Sequence, residues 1–343
     1  MKILITGDKG YIGSVLSLYL HNNGYEVYGI DTGFYENNTL TKPFTNYKSF
    51  KKDIRNLEKK DIDNFDAVIH LAAISNDPLG EIKENITNQI NRDATVRIAE
   101  LSKSNNVKRF IFFSSQSMYG ISKTSNELDE YDSEKNPITA YARTKYEAEK
   151  MIIKLANDNF CVTCLRPSTV FGVSPRLRTD IVYNNLISSA FLYNKIEIKS
   201  DGSPIRPVIH VLDVCNSVLA LLKSSNKLIN KKSYNVGIVD GNYTVKTMAQ
   251  TIKKLVSGSS LFFSGEHGID SRTYSVSFKR ILKDFDGLYT PEWDLTKGGI
   301  ELINFFKKIN YVIEDFEGIK TNRLNMLNYL MENNKIDDDF YWQ

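Results

Sequence analysis

Apolar and polar positions alternate in blocks along the first half of the chain. Lys2-Ile3-Leu4-Ile5-Thr6 is a short apolar run suited to a buried strand, and from Ile12 the apolar side chains return at Val15, Leu16, Tyr19 and Leu20, the spacing of one helix face. Gly24 closes that helix, and Tyr25 to Ile30 reads as a second strand ending at Asp31. Similar runs lie at Phe65 to Ala73, Val107 to Phe113 and Cys161 to Leu165. Helical spacing connects them at Ala94, Ile98 and Leu101, and again from Tyr141 to Ile152; Phe34 to Thr45 reads as a loop. Strand and helix in alternation predict an α/β fold, a Rossmann-type doubly wound parallel sheet. After Val173 the alternation gives way to mixed segments. Residues 1–172 are therefore expected to form this lobe and residues 173–343 mainly a smaller mixed α/β lobe, with a segment near 205–235 returning to the first.

Charge narrows the partners. The net charge of +3 rests on 44 basic and 41 acidic residues, so no nucleic acid is expected, and any anion must be recognised locally. A small anionic metabolite suits that balance. No apolar run approaches the roughly 20 residues of a membrane helix, and the N-terminal run meets Thr6-Gly7 too early for a signal peptide. A cytoplasmic protein without a membrane partner is expected. Cys161 and Cys164 lie in a strand pattern with no second ligand pair, so they read as buried thiols and no metal is expected. The polar tail from Asn333 ends in Phe340-Tyr341-Trp342, to which the pattern assigns no role.

Three stretches carry candidate chemistry. Gly7, Gly10 and Gly13, with Tyr11 and Ile12 between them, make a Gly-x-x-Gly-x-x-Gly turn from strand to helix, where a backbone can approach a pyrophosphate. Asp31 follows 18 residues after Gly13, where a carboxylate either accepts from an adenosine ribose and repels a 2′-phosphate, favouring NAD over NADP, or caps the next turn. Tyr141 and Lys145 stand four apart on a helical stretch and so share a face. An ammonium beside a phenol lowers its pKa from about 10 toward working pH and makes it a usable acid or base. Besides these, Ser75 lies in a turn at the carboxyl end of a strand, and Arg176 in a basic turn opening a helix, suited to phosphate.

The glycine turn, Ser114-Ser115-Gln116-Ser117-Met118-Tyr119-Gly120 and Tyr141-Ala142-Arg143-Thr144-Lys145 together resemble the extended short-chain dehydrogenase/reductase family, in its NAD-dependent nucleotide-sugar epimerase/dehydratase branch. The resemblance covers nearly the whole chain. It extends to Asp53-Ile54-Arg55, His70-Leu71-Ala72-Ala73, Asn91 to Thr95, Arg166 to Gly172 with Thr169 where Asn is usual, Arg206 to Val214, and Tyr234 to Gly237. It implies NAD bound by Gly7, Gly10, Tyr11, Ile12, Gly13, Asp31, Asp53, Ile54, Leu71, Ala72, Ala73, Asn91, Tyr141 and Lys145. It further implies that Tyr141 takes a proton from a sugar hydroxyl held by Ser115, while Lys145 lowers the phenol pKa and grips the nicotinamide ribose. The nucleotide-diphosphate sugar would meet Ser75, Ser117, Thr169, Arg176, Arg206 and Arg272, with Arg206 and Arg272 on its diphosphate. Family habit also implies a homodimer.

Absences then sort the reactions. Dehydrating relatives carry an Asp-Glu pair after the Ser/Thr, because elimination needs its own acid and base; this chain has Gln116 and Ser117. Decarboxylating relatives carry glutamate at the position of Ser117, and the epimerase/reductases a cysteine in that loop. The expected activity is NAD-dependent nucleotide-sugar epimerisation at carbon 4 through a transient 4-keto sugar. The alternatives are a 4-dehydrogenase releasing that keto sugar and a non-catalytic nucleotide-binding relative.

Overall fold

The computed structural model describes residues 1–75, 80–81, 83–122, 124, 126–265 and 273–343. Among them the main sheet has seven strands in the order β10-β6-β5-β4-β1-β2-β3. These are β1 (Lys2–Thr6), β2 (Glu26–Asp31), β3 (Lys48–Lys51), β4 (Ala67–His70), β5 (Arg109–Phe113), β6 (Cys161–Pro167) and β10 (Lys232–Val236), and every neighbouring pair is parallel. The chain winds outward from β1 through β2 and β3, then returns to β1's other side through β4, β5 and β6. That reversal opens a crevice at the carboxyl ends of β1 and β4, the usual ligand position in such sheets. The register sets its floor: Thr6 stands opposite both Ile30 and His70.

Both faces of the sheet are covered, which is why its strands read as nearly continuous apolar runs. Ile3 and Ile5 belong to one core cluster, together with Val27, Ile69 and Ile111, and Leu4 to another with Val68, Phe110 and Phe112. The period of two within a strand assigns them so. Helices α1 (Tyr11–Asn22) and α5 (Val211–Lys223) pack together on the first face; α2 (Ala94–Ser104) and α3 (Ala140–Ile153) pack together on the second. Each fully buried Val, Leu, Ile or Phe contributes about 1.5–3 kcal/mol by leaving water. Cys161 and Cys164, three positions apart in β6, fall in opposite clusters, so the two thiols cannot share an ion.

The remaining chain builds a small sheet of β7 (Thr169–Phe171), β9 (Ile205–His210) and β11 (Asn242–Thr244), and a pair from β8 (Lys195–Ile198) and β12 (Ser260–Phe263). Around them pack α4 (Val182–Tyr193), α6 (Val245–Leu255) and α7 (Leu295–Ile309). The strand β10 comes from this half of the chain and pairs with β6, Tyr234 opposite Leu165. A last helix, α8 (Arg323–Glu332), crosses back: Met326, Leu327 and Leu330, with Phe340 of the tail, join the second cluster of the main sheet. Among the described residues no helix is long and apolar enough to cross a membrane.

Candidate active site

A cleft of about 770 Å³ lies over the switch point between β1 and β4, within the range of about 300–1,000 Å³ for small-ligand sites. One end is the turn from β1 into α1. Gly7 holds a φ of +77°, and a Cβ on Gly13 would stand 2.1 Å from the Gly7 carbonyl oxygen, so turn and helix approach as closely as only glycine permits. Gly10, at the N-cap of α1, has no side chain with which to cap the helix, and this leaves the first N–H groups for an anion. Gly7, Gly10, Tyr11, Ile12 and Gly13 all line the cleft.

At the end of β2, Asp31 accepts from the backbone N–H of Gly33 (2.7 Å) and of Lys9 (3.2 Å) and also faces the cleft. Of the two readings the sequence left open, the turn cap is observed, and each oxygen keeps acceptor capacity for a further donor in the cleft. Burial raises its pKa. Asp53 and Ile54 stand beside it, and Leu71, Ala72 and Ala73 close the wall after β4. Asp53 is tied by its carboxylate to the Arg55 guanidinium at 2.7 Å.

The other end carries Ser115, Tyr141 and Lys145, the residues expected to react. β5 delivers Ser114 and Ser115 to its carboxyl end, and Thr139 caps α3, which presents Tyr141, Ala142 and Lys145 to the cleft. Ser115 Oγ accepts from Ser117 N–H (3.2 Å) and Ser117 Oγ (2.8 Å), which leaves its own proton for a ligand oxygen. Lys145 is fully enclosed, its Nζ donating to the Phe113 carbonyl at 2.8 Å, and burial drops its pKa to about 7. Gln116 is locked by its amide to the Arg166 carbonyl at 3.0 Å. Ser75, Ser117, Thr169 and Arg206 line the same cleft.

Three expected residues stand differently. Arg176 does not line the cleft: its Nη1 donates to the carbonyls of Tyr35 and Glu36, so the guanidinium braces a loop instead of facing a phosphate. Arg178 takes its place in the wall, bonded to Ser75 Oγ at 3.1 Å and paired with Asp180. Asn91 is fully buried, with both ends of its amide used by Ile74 at 2.8 and 3.0 Å; it fixes the turn that carries Ser75 and does not reach the cleft. Arg272 lies outside the described residues. Conversely, Phe34, Tyr35, Asn322, Arg323, Leu327 and Phe340 line the cleft and were not anticipated. The only available signal was the aromatic run at 340–342, since three large apolar rings in a polar tail imply a surface to bury against.

His70, at the end of β4, is a core residue. Its ring nitrogens meet Thr6 Oγ1 at 2.6 Å and Thr95 Oγ1 at 2.8 Å, and burial, with Lys145 nearby, lowers its pKa from 6.5 to about 3. The neutral ring is the folded form. Its contribution to stability is present above pH 6.5 and lost as pH falls toward 3, by about 1.4 kcal/mol for each pH unit between. Urea midpoints measured from pH 7 to pH 4 should fall more steeply for the wild type than for His70→Gln, and parallel slopes would remove this assignment.

Such a cleft marks a class of enzymes that bind a dinucleotide at the switch point of a parallel sheet and act on a second ligand held beside it. The chain belongs to the NAD dependent epimerase/dehydratase family, whose model matches residues 3–237. It is 26% identical to the bifunctional polymyxin resistance protein ArnA of Wigglesworthia glossinidia brevipalpis over 89% of this chain, spanning 51% of that longer protein. It is 27% identical to UDP-glucose 4-epimerase of Bacillus subtilis (strain 168), over 76% of this chain and 84% of that one. Among solved structures, MoeE5 in complex with UDP-glucuronic acid and NAD superposes with a TM-score of 0.76 at 24% identity, over 90% of this chain and 99% of that one, which establishes the common fold. The protein is accordingly an NAD-dependent enzyme of the extended short-chain dehydrogenase/reductase type. NAD fits the residues present: an uncapped helix start for its diphosphate, and a carboxylate at the end of β2 for its ribose.

Proposed function

We propose that the protein inverts a hydroxyl-bearing carbon, carbon 4, of a nucleotide-diphosphate sugar. The observation that carries this reading is a combination. Ser115, Tyr141 and Lys145 share one cleft with the glycine turn and Asp31, while the two residues after Ser115 are an amide locked to backbone and a hydroxyl bonded to Ser115 itself. NAD, when bound, supplies the capacity to accept and return a hydride. Tyr141 takes the proton of the sugar hydroxyl and later gives it back, and Ser115 orients that oxygen. No further acid or base is needed for inversion, because the ketone can present its other face. Elimination of water would need two more proton-transfer groups, and Gln116 and Ser117 supply neither. Thr169, Arg178 and Arg206 line the cleft and would meet the sugar and its diphosphate in this reading.

The test is incubation of the purified enzyme with UDP-, GDP-, CDP- and dTDP-hexoses in deuterated buffer. The expected result is an equilibrium mixture of carbon-4 epimers, no accumulating NADH and no solvent deuterium at carbon 4. Stoichiometric NADH with a keto product would make the enzyme a dehydrogenase instead. A homodimer belongs to the same proposal, and static light scattering giving the monomer mass at micromolar concentration would remove it.

A further inference from the structure

The C-terminal segment supplies a wall of the cleft that the family's motifs do not account for. α8 begins at Arg323, whose side chain lines the cleft, is 2% exposed and stacks 4.5 Å from the centre of the Tyr35 ring. Its Nη2 donates to the Arg176 carbonyl at 3.0 Å, while Nη1 is buried with no hydrogen-bond partner among the described residues. Burial, with Arg178 and Arg176 close by, pushes its pKa down to about 10. The nearby Asp180 carboxylate is already paired with Arg178, so a buried guanidinium with an unused donor and two cationic neighbours is costly unless a further anion joins it.

The position of Arg323 identifies that anion. Arg323 is bonded to the Arg176 carbonyl, Arg176 N–H to Ser174 Oγ (3.1 Å), and Ser174 Oγ to the Tyr11 carbonyl (2.9 Å), within the glycine turn. That chain of bonds ties Arg323 to the start of α1, and the Tyr35 ring it stacks on lies only four residues beyond Asp31, although Arg178 is also close.

The tail continues along the same half. Arg55 donates to the carbonyls of Asp339 (2.6 Å) and Phe340 (3.3 Å) and carries the Tyr341 ring on its guanidinium at 3.7 Å. Trp342 Nε1 donates to the Thr32 carbonyl at 2.7 Å, its ring lying under Lys51 and against Phe34. Phe340 is 1% exposed and lines the cleft as Asp53 and Ile54 do.

We propose that residues 322–342 complete the NAD site from outside the main sheet: Arg323 binds the cofactor's diphosphate opposite the glycine turn, and the aromatic tail covers its adenosine end. The strap must loosen before NAD leaves. A retained cofactor is what an enzyme needs when it returns the hydride to its own substrate, and to that extent the strap favours the epimerase reading, although the NAD contacts stand without it.

Three proteins stripped of nucleotide test this: wild type, Arg323→Gln and Trp342→Ala, titrated with NAD, ADP-ribose and UDP. Arg323→Gln should raise Kd for NAD and for ADP-ribose by at least about tenfold, the usual loss for a charge-assisted hydrogen bond to phosphate, and leave UDP unchanged. The thermal midpoint of this nucleotide-free variant should match or exceed the wild type's, since an unpaired buried charge has gone. Unchanged NAD affinity, or a loss confined to UDP, overturns the assignment. Trp342, being 39% exposed, can be truncated with little risk to the fold. Trp342→Ala should speed NAD dissociation about tenfold, as measured by stopped-flow displacement, and an unchanged rate overturns the strap.

Discussion

Tyr141→Phe is expected to lower turnover by about 10²- to 10⁴-fold, the range for a positioned proton-transfer group, with Kd for NAD within about twofold of wild type. The reasoning is local. The substitution removes one oxygen and keeps the ring, so the wall of the cleft at α3 stays filled, and Lys145 keeps its bond to the Phe113 carbonyl. What is lost is the group proposed to take the sugar hydroxyl's proton as the carbon is oxidised. Ser115 cannot substitute for it: a serine hydroxyl is a poor base near neutral pH, and Ser115 Oγ already accepts two hydrogen bonds. Turnover of Tyr141→Phe equal to wild type on the enzyme's best nucleotide sugar would end the catalytic assignment, whichever sugar that is.

The second large effect is expected at Glu149, which does not line the cleft. Glu149 and Arg166 form a buried pair joining α3 to β6, with side chains 3% and 5% exposed. Ser233 of β10 adds a hydrogen bond to Glu149 at 2.7 Å, and Arg166 reaches the Tyr119 hydroxyl and the Glu130 carbonyl, each at 3.1 Å. Burial works against the charge on Arg166, but Glu149 more than offsets it, so the guanidinium titrates above its usual range. Glu149→Ala leaves that charge enclosed and unpaired, and should cost about 3–5 kcal/mol, visible as a fall in the midpoint of chemical unfolding. The double replacement Glu149→Leu with Arg166→Met should cost less than the single one, because no charge is left behind. A single loss below about 1 kcal/mol would mean that water reaches the pair. Since α3 carries Tyr141 and Lys145, turnover should drop with stability in Glu149→Ala and recover at least partly in the double variant.

Much of the nucleotide half was legible because its signals are local. Ile3, Leu4 and Ile5 fill both faces of β1, and a glycine turn followed by a helix needs only neighbouring residues to form. Asp31 ends its strand where the spacing put it, and Tyr141 and Lys145 share a helix face because four residues make about one turn. The strand limits moved little: the apolar run from Phe65 to Ala73 holds β4 at Ala67–His70, and the residues after it leave the sheet to line the cleft. Arg176 and Arg178 show where such reading stops. They lie two apart in an irregular loop, which has no period to say which side chain faces inward, and the carbonyls of Tyr35 and Glu36, some 140 residues away in the chain, claimed the first. Asn91 likewise went to the backbone of Ile74.

Apolar period, glycine spacing and the helical interval between a phenol and an amine were enough to specify a doubly wound sheet, the glycine turn into α1 and a helix that presents Tyr141 and Lys145 to one cleft, since each depends on residues within a few turns of chain. Folding over long distances chose the rest: which arginine entered the cleft, the Glu149–Arg166 tie beneath α3, and the return of residues 322–342 to the wall of the cleft. Those contacts join segments as much as 310 residues apart, from Thr32 to Trp342, and form only when the apolar faces that carry them have packed.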